Sequence, residues 1–188
     1  MKTAVIVGQG YVGLPVAMRA VTVGYNVVGI DLDEVRTASL RDGISYVDDV
    51  SSSQLEDALS SGRYLATTDY DDTAGFDIAV ITVPTPLRES VPDLSFIEES
   101  SKSLATRLTK GAIVVLESTT YPGTTEELLV PILESGSGLV AGVDFYVGYS
   151  PERIDPAIRS GDSWKRRKLF PASTPLLSRG CRAFTTTW

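Results

Sequence analysis

Apolar positions in the first 156 residues follow two alternating patterns. Short runs that are apolar on both faces read as buried strands: Thr3–Val7, Asn26–Ile30, Asp77–Val83, Ala112–Leu116 and Asp144–Gly148. Between them, apolar residues recur at helical spacing. Leu14, Ala17, Met18 and Val21 stand at i, i+3, i+4 and i+7, which is one face of a helix. Pro15 falls in the first turn of that helix, where a missing N–H costs little, and Gly24 closes it. Asp33–Leu40, stopped by Gly43, and Ser52–Ser60 are shorter helices. Ser95 with Glu98, and Thr124 with Glu127, have capping-box spacing and mark two more helix starts.

Strands alternate with helices, and the strands have no polar face. That combination predicts a parallel sheet covered by helices on both sides, a doubly wound α/β domain over residues 1–156. Residues 157–188 show neither period.

Composition narrows the chemistry. The chain has 188 residues, 43% hydrophobic and 22% charged, enough to bury a core. Apolar runs are far shorter than a membrane span and the start has no signal-peptide pattern, so the expectation is a cytoplasmic protein without a membrane partner. There is no histidine and a single cysteine, Cys181. Histidine-based triads and His-ligated metal sites are thereby excluded, no metal is expected, and acid–base work falls to carboxylates, Lys, Tyr or water. Residues 1–156 hold 23 of the 24 acidic and 10 of the 17 basic residues, a net charge of −13, which argues against a nucleic-acid partner. Residues 157–188 carry +6, with a KRRK run at 165–168. A disordered basic tail, a tail for nucleic acid or a membrane surface, and an out-of-frame or truncated product all fit that break.

The stretch VIVGQGYVGLPVA at 5–17 places glycines at 8, 10 and 13 between the first strand and the first helix. In a strand–glycine–helix–strand–acid context, Gly8 permits the tight turn, Gly10 leaves room for a pyrophosphate, and Gly13 lets the helix pack close to the sheet. The helix N-terminus offers unbonded N–H groups to phosphates. Asp31, 18 residues past Gly13, ends the second strand and suits a ribose 2′-hydroxyl, favouring NAD over NADP. A ligand-free turn, an FAD site and an S-adenosylmethionine site are the other readings of such a loop. The fold expected is Rossmann-like.

Three further stretches follow predicted strands: VPTPL at 83–87, ESTTYPGTT at 117–125 and YSPERIDP at 149–156. With the glycine loop, they closely resemble the UDP-glucose/GDP-mannose dehydrogenase family, the nucleotide-sugar 6-dehydrogenases, over its N-terminal NAD-binding domain. The wording is most similar to the members acting on UDP-N-acetylhexosamines, with UDP-glucose also open. The resemblance implies oxidation of a sugar C6 alcohol to a carboxylate with two NAD, through a thiohemiacetal and a thioester on a cysteine, in polysaccharide biosynthesis. It implies cofactor contacts at Gly8, Gly10, Tyr11, Val12, Gly13, Asp31, Arg36, Pro84, Thr85, Ser118 and Thr119. It also implies catalytic roles for Thr119, toward a water or the substrate hydroxyl, and for Glu152, as a base or in thioester hydrolysis.

The sequence departs from the family pattern after Pro156. Cys181 stands in SRGCRAF, outside any glycine-rich loop with a following acid, so it does not match the family's nucleophile. The family's later Lys and Asn, its connecting helix, through which it usually dimerises, and its UDP-sugar domain have no counterpart here. The expectation is an NAD-binding half without full turnover; a non-catalytic NAD-binding module and an inactive truncated product are the alternatives.

Overall fold

The structure, a computed structural model, describes residues 1–88 and 91–150. Glu152 and the rest of the SPER motif after Ser150, and the basic segment with Cys181, lie outside the described residues. Six parallel strands form one sheet in the order β3-β2-β1-β4-β7-β8. They are β1 (Thr3–Val7), β2 (Asn26–Ile30), β3 (Tyr64–Thr67), β4 (Ile78–Ile81), β7 (Ile113–Leu116) and β8 (Tyr146–Tyr149). A small antiparallel pair, β5 (Leu87–Arg88) and β6 (Val91–Pro92), stands apart after β4. The helices are α1 (Gly13–Thr22), α2 (Glu34–Arg41), α3 (Ser52–Ser60), α4 (Ser95–Ala105) and α5 (Val130–Ser137).

Strand pleating sends alternate side chains into two cores. Ala4, Ile6, Val27, Ala66, Ile78 and Val80 pack with Leu14, Ala17, Met18 and Val21 of α1, Leu40 of α2 and Leu55 of α3. Val5, Val7, Val28, Ile30, Ala79, Ile81, Val114 and Leu116 pack on the other face with Ile97 and Leu104 of α4 and Leu133 of α5. The helical apolar face read from the sequence is thus the buried face of α1, and the doubly wound α/β expectation holds.

The strands differ locally at three places. The Tyr64–Thr67 strand is not foreshadowed by the pattern: it is a four-residue edge strand whose Leu65 is exposed. The Asp77–Val83 run pairs only over Ile78–Ile81. The Asp144–Gly148 run begins pairing at Tyr146, because the Asp144 carboxylate turns out to Lys110 Nζ (2.9 Å) and the Val140 N–H (3.1 Å).

Neither capping box forms. Ser95 is already helical, and the carboxylate accepting its N–H is that of Asp93, at 3.0 Å. Thr124 has helical φ and ψ, and its hydroxyl donates backwards to Tyr121 O (2.8 Å). The next turn, Thr125–Leu129, is π-helical, with the Val130 N–H reaching Thr125 O five residues back. Pro131 brings no N–H to the ladder at that point, which favours the change of register.

Hydrogen bonds from Ser95, first from its backbone N–H, and then the Arg88 guanidinium hold the Asp93 carboxyl below its ordinary pKa. Asp93→Ala is therefore expected to lower the melting temperature near neutral pH, and Ser95→Ala, which keeps the backbone N–H and loses only the hydroxyl, to lower it less. A carboxylate with a depressed folded pKa stabilises above its unfolded value and loses that contribution as pH falls. The gap between Asp93→Ala and the parent should shrink once the pH drops below about 4; a gap that widens there would contradict the assignment.

Candidate functional site

All six strands are parallel, so their C-terminal ends open on one edge. The glycine loop, Asp31, the Thr82–Pro86 loop and the Glu117–Gly123 loop gather there. Strand order reverses between β1 and β4, the switch point where open α/β sheets bind ligands.

The three loop glycines meet different constraints. Gly8 has φ 89°, a left-handed conformation, and a Cβ on it would lie 2.9 Å from Thr82 O. A Cβ on Gly13 would lie 1.7 Å from Gly8 O, so the first turn of α1 sits directly on the end of β1. A Cβ on Gly10 would meet nothing within 4 Å. The protein's own packing therefore explains Gly8 and Gly13 but not Gly10, whose bareness leaves an open space over the loop. Among the described residues, the N–H groups of Gly10, Tyr11, Val12 and Gly13 make no hydrogen bond. This is the unsatisfied first turn of a helix, polarised to receive an anion.

Asp31 stands beside this loop with only 12% of its side chain exposed. Its Oδ2 accepts the Gln9 N–H (2.9 Å) and its Oδ1 accepts the Asp33 N–H (3.0 Å). Both oxygens are held in place, and each keeps a further lone pair for a hydroxyl. Arg36 Nη1 lies 4.0 Å from Asp31 Oδ2 and its Nε lies 3.5 Å from Asp33 Oδ2. Its guanidinium is 5.7 Å from the centre of the Tyr46 ring, within cation–π range.

The other predicted residues divide by environment. Val12 is buried and offers only its backbone, whereas Tyr11 is half exposed at the mouth of the loop. Pro84 is exposed. Thr85 Oγ1 donates to Thr119 O (2.7 Å), and buried Ser118 Oγ donates to Val83 O (2.8 Å). These two bonds strap the loop after β4 to the loop after β7. Thr119 itself is exposed, and its hydroxyl bonds to none of the described residues.

Three residues the sequence reading passed over organise the site. Thr82 Oγ1 donates toward Val7 O (2.7 Å) and Gly8 O (2.9 Å), tying β4 to the turn. Gln9 is fully buried; its Nε2 donates to Ile6 O (2.8 Å) and its Oε1 accepts from Tyr64 Oη (2.8 Å). A Cβ at Gly29 would lie 2.6 Å from Gln9 Oε1, so a glycine in β2 makes room for that amide. Tyr46 Oη donates to Gln9 O at 2.8 Å. Burial, and then the Asp31 charge, push the Tyr46 hydroxyl up to about 12, which keeps it a donor at neutral pH. A long amide between two glycines, with Gly29 in the facing strand, was the available signal.

Residues 1–169 match the model of the UDP-glucose/GDP-mannose dehydrogenase family, NAD binding domain. The chain belongs to this family. NAD is accordingly its cofactor, and the open space over Gly10, the unbonded N–H groups and the oriented Asp31 carboxylate fit such a group. The matched region includes residues 157–169, beyond the boundary expected at Pro156.

The UDP-N-acetyl-D-glucosamine 6-dehydrogenase of Pseudomonas aeruginosa is 42% identical over 176 residues, covering 93% of this chain and 40% of that protein. The UDP-N-acetyl-D-mannosamine dehydrogenase of Pyrococcus horikoshii is 38% identical over 157 residues, covering 83% of this chain and 37% of that protein. A solved UDP-D-ManNAc dehydrogenase structure from P. horikoshii superposes with a TM-score of 0.79 at 36% identity, covering 87% of this chain and 38% of that one. The chain thus spans about two fifths of the length of these relatives.

A pair of substitutions separates packing from ligand space. Gly10→Ala is expected to leave stability within about 1 kcal/mol of the parent while weakening NAD binding at least about tenfold. Gly13→Ala, driven into the Gly8 carbonyl, should cost about 3 kcal/mol or more in urea unfolding. Equal stability losses in the two variants would contradict this division.

Proposed function

We propose that this chain is the NAD-binding half of a nucleotide-sugar 6-dehydrogenase that oxidises the C6 alcohol of a UDP-sugar. UDP-N-acetylglucosamine or UDP-N-acetylmannosamine are the substrates favoured by the relatives' names, with UDP-glucose the further candidate. The observation that carries the reading is the cleft geometry: an unbonded helix start beneath a bare Gly10, beside a carboxylate fixed by two backbone N–H groups.

NAD, when bound, supplies the hydride acceptor. The N–H groups of residues 10–13 take the diphosphate, Asp31 takes the adenosine ribose hydroxyls, and Arg36 flanks the adenine side. The paired loops strapped by Thr85 and Ser118 hold the far end. Pro84 stiffens the loop after β4 at that end. Tyr11 closes the loop from the solvent side. Thr119 is proposed to hold the reacting hydroxyl or a water, with Glu152 taking or returning the proton. The covalent half of the oxidation calls for a thiol in a glycine-rich loop, which Cys181 in SRGCRAF does not resemble.

Isothermal titration of the 188-residue chain tests the reading. NAD should bind, and NADP should bind at least about tenfold more weakly, because Asp31 repels a 2′-phosphate. Asp31→Ala should weaken NAD and narrow the gap to NADP. A chain that ignores NAD at millimolar concentration, or an Asp31→Ala variant with parental affinity, would overturn the proposal.

A further inference from the structure

Tyr46 takes no part in the family motifs, yet its hydroxyl reaches 37 positions back along the chain to the backbone of the glycine loop. It sits on the segment between α2 and α3. That segment is rooted: Val50 is buried, Val47 packs against the first core, and the Ser45 N–H donates to Ser52 Oγ at 3.1 Å. Tyr46 itself remains 39% exposed. It is presented to the loop from a fixed base more than it is packed into a core.

Its target is the carbonyl of the Gln9–Gly10 peptide. No peptide among the described residues is cis, and in a planar trans peptide the C=O and N–H point in opposite directions. Holding Gln9 O on the Tyr46 side therefore directs the Gly10 N–H the other way, away from Tyr46. Gly10 has no side chain to resist rotation of that peptide, and a Cβ there would meet nothing. Gln9 is anchored on its other side by its N–H to Asp31 Oδ2 and by its buried amide. The Gly10 N–H makes no bond among the described residues, so the Tyr46 hydroxyl on Gln9 O is the group that fixes the Gln9–Gly10 plane. A flipped plane would present a carbonyl dipole, rather than an N–H, to an approaching diphosphate.

We propose that Tyr46 is a positioning residue for the diphosphate: through its hydrogen bond to Gln9 O it orients the Gly10 N–H toward that group. The inference rests on the NAD reading of the loop and adds to it a residue and a specific part of the ligand.

Because the effect is directed at the diphosphate, ligand fragments separate it from general support of the fold. Adenosine, ADP and NAD are titrated against the full chain and against Tyr46→Phe, which keeps the ring beside Arg36 and removes only the hydroxyl. The expected result is an approximately threefold to tenfold loss for ADP and NAD, the weight of one neutral hydrogen bond, with adenosine affinity unchanged. The amide signal of Gly10 should shift on adding ADP to the parent and shift much less in the variant. Tyr46→Leu should lose at least as much for ADP, so a fold defect confined to one variant does not decide the outcome.

Parental ADP affinity in Tyr46→Phe, or an equal loss for adenosine and ADP, would overturn the inference while leaving the NAD reading intact. Failure of the parent chain to bind ADP and NAD would overturn both.

Discussion

The close seat of α1 on the end of β1 is the constraint from which the site follows. Gly13 lies so near the Gly8 carbonyl that no side chain fits between them, and Thr82 fastens the same carbonyl from β4. The helix therefore begins directly over the sheet edge, at the point where strand order reverses, and its first N–H groups face outward without partners. Two buried cores hold the elements on either side. Packing thus places an uncapped helix start, with its unbonded N–H groups, at the cleft.

A second layer ties the parts of the cofactor site together through Gln9. Its N–H fixes Asp31, its carbonyl takes the Tyr46 hydroxyl, and its amide lies buried between Ile6 O and Tyr64. The glycine loop and the Asp31 carboxylate are thus coupled through one residue. On the far side, Thr85 and Ser118 link the loops after β4 and β7, so the groups proposed to meet the reacting end of the substrate share a common support.

Much of this could be read from residue order. The buried strands, the apolar face of α1 and the three glycines carry strong local signals, because burial on both sheet faces and close backbone approach leave few residue choices. The four motifs pointed to the family that the match over residues 1–169 shows. What escaped was tertiary. Tyr64–Thr67 is too short and too exposed at Leu65 to stand out. The Ser95 and Thr124 patterns have the spacing of caps, but Asp93 had already satisfied one helix start and Pro131 had shifted the register of the other. Gln9, Tyr46 and Thr82 act across 37 to 75 positions of separation or through a buried amide, and spacing along the chain says nothing about such partners.

The central claim is that the chain binds a diphosphate-bearing cofactor over Gly10 with its ribose on Asp31. The most direct measurement is an amide-resolved NMR titration of the isotopically labelled chain with NAD. The account predicts that the largest shifts fall on the backbone amides of residues 8–13 and on Asp31, with smaller ones in the Thr82–Pro86 and Ser118–Gly123 loops. Shifts concentrated elsewhere on the molecule, with the glycine loop unmoved at saturation, would contradict it.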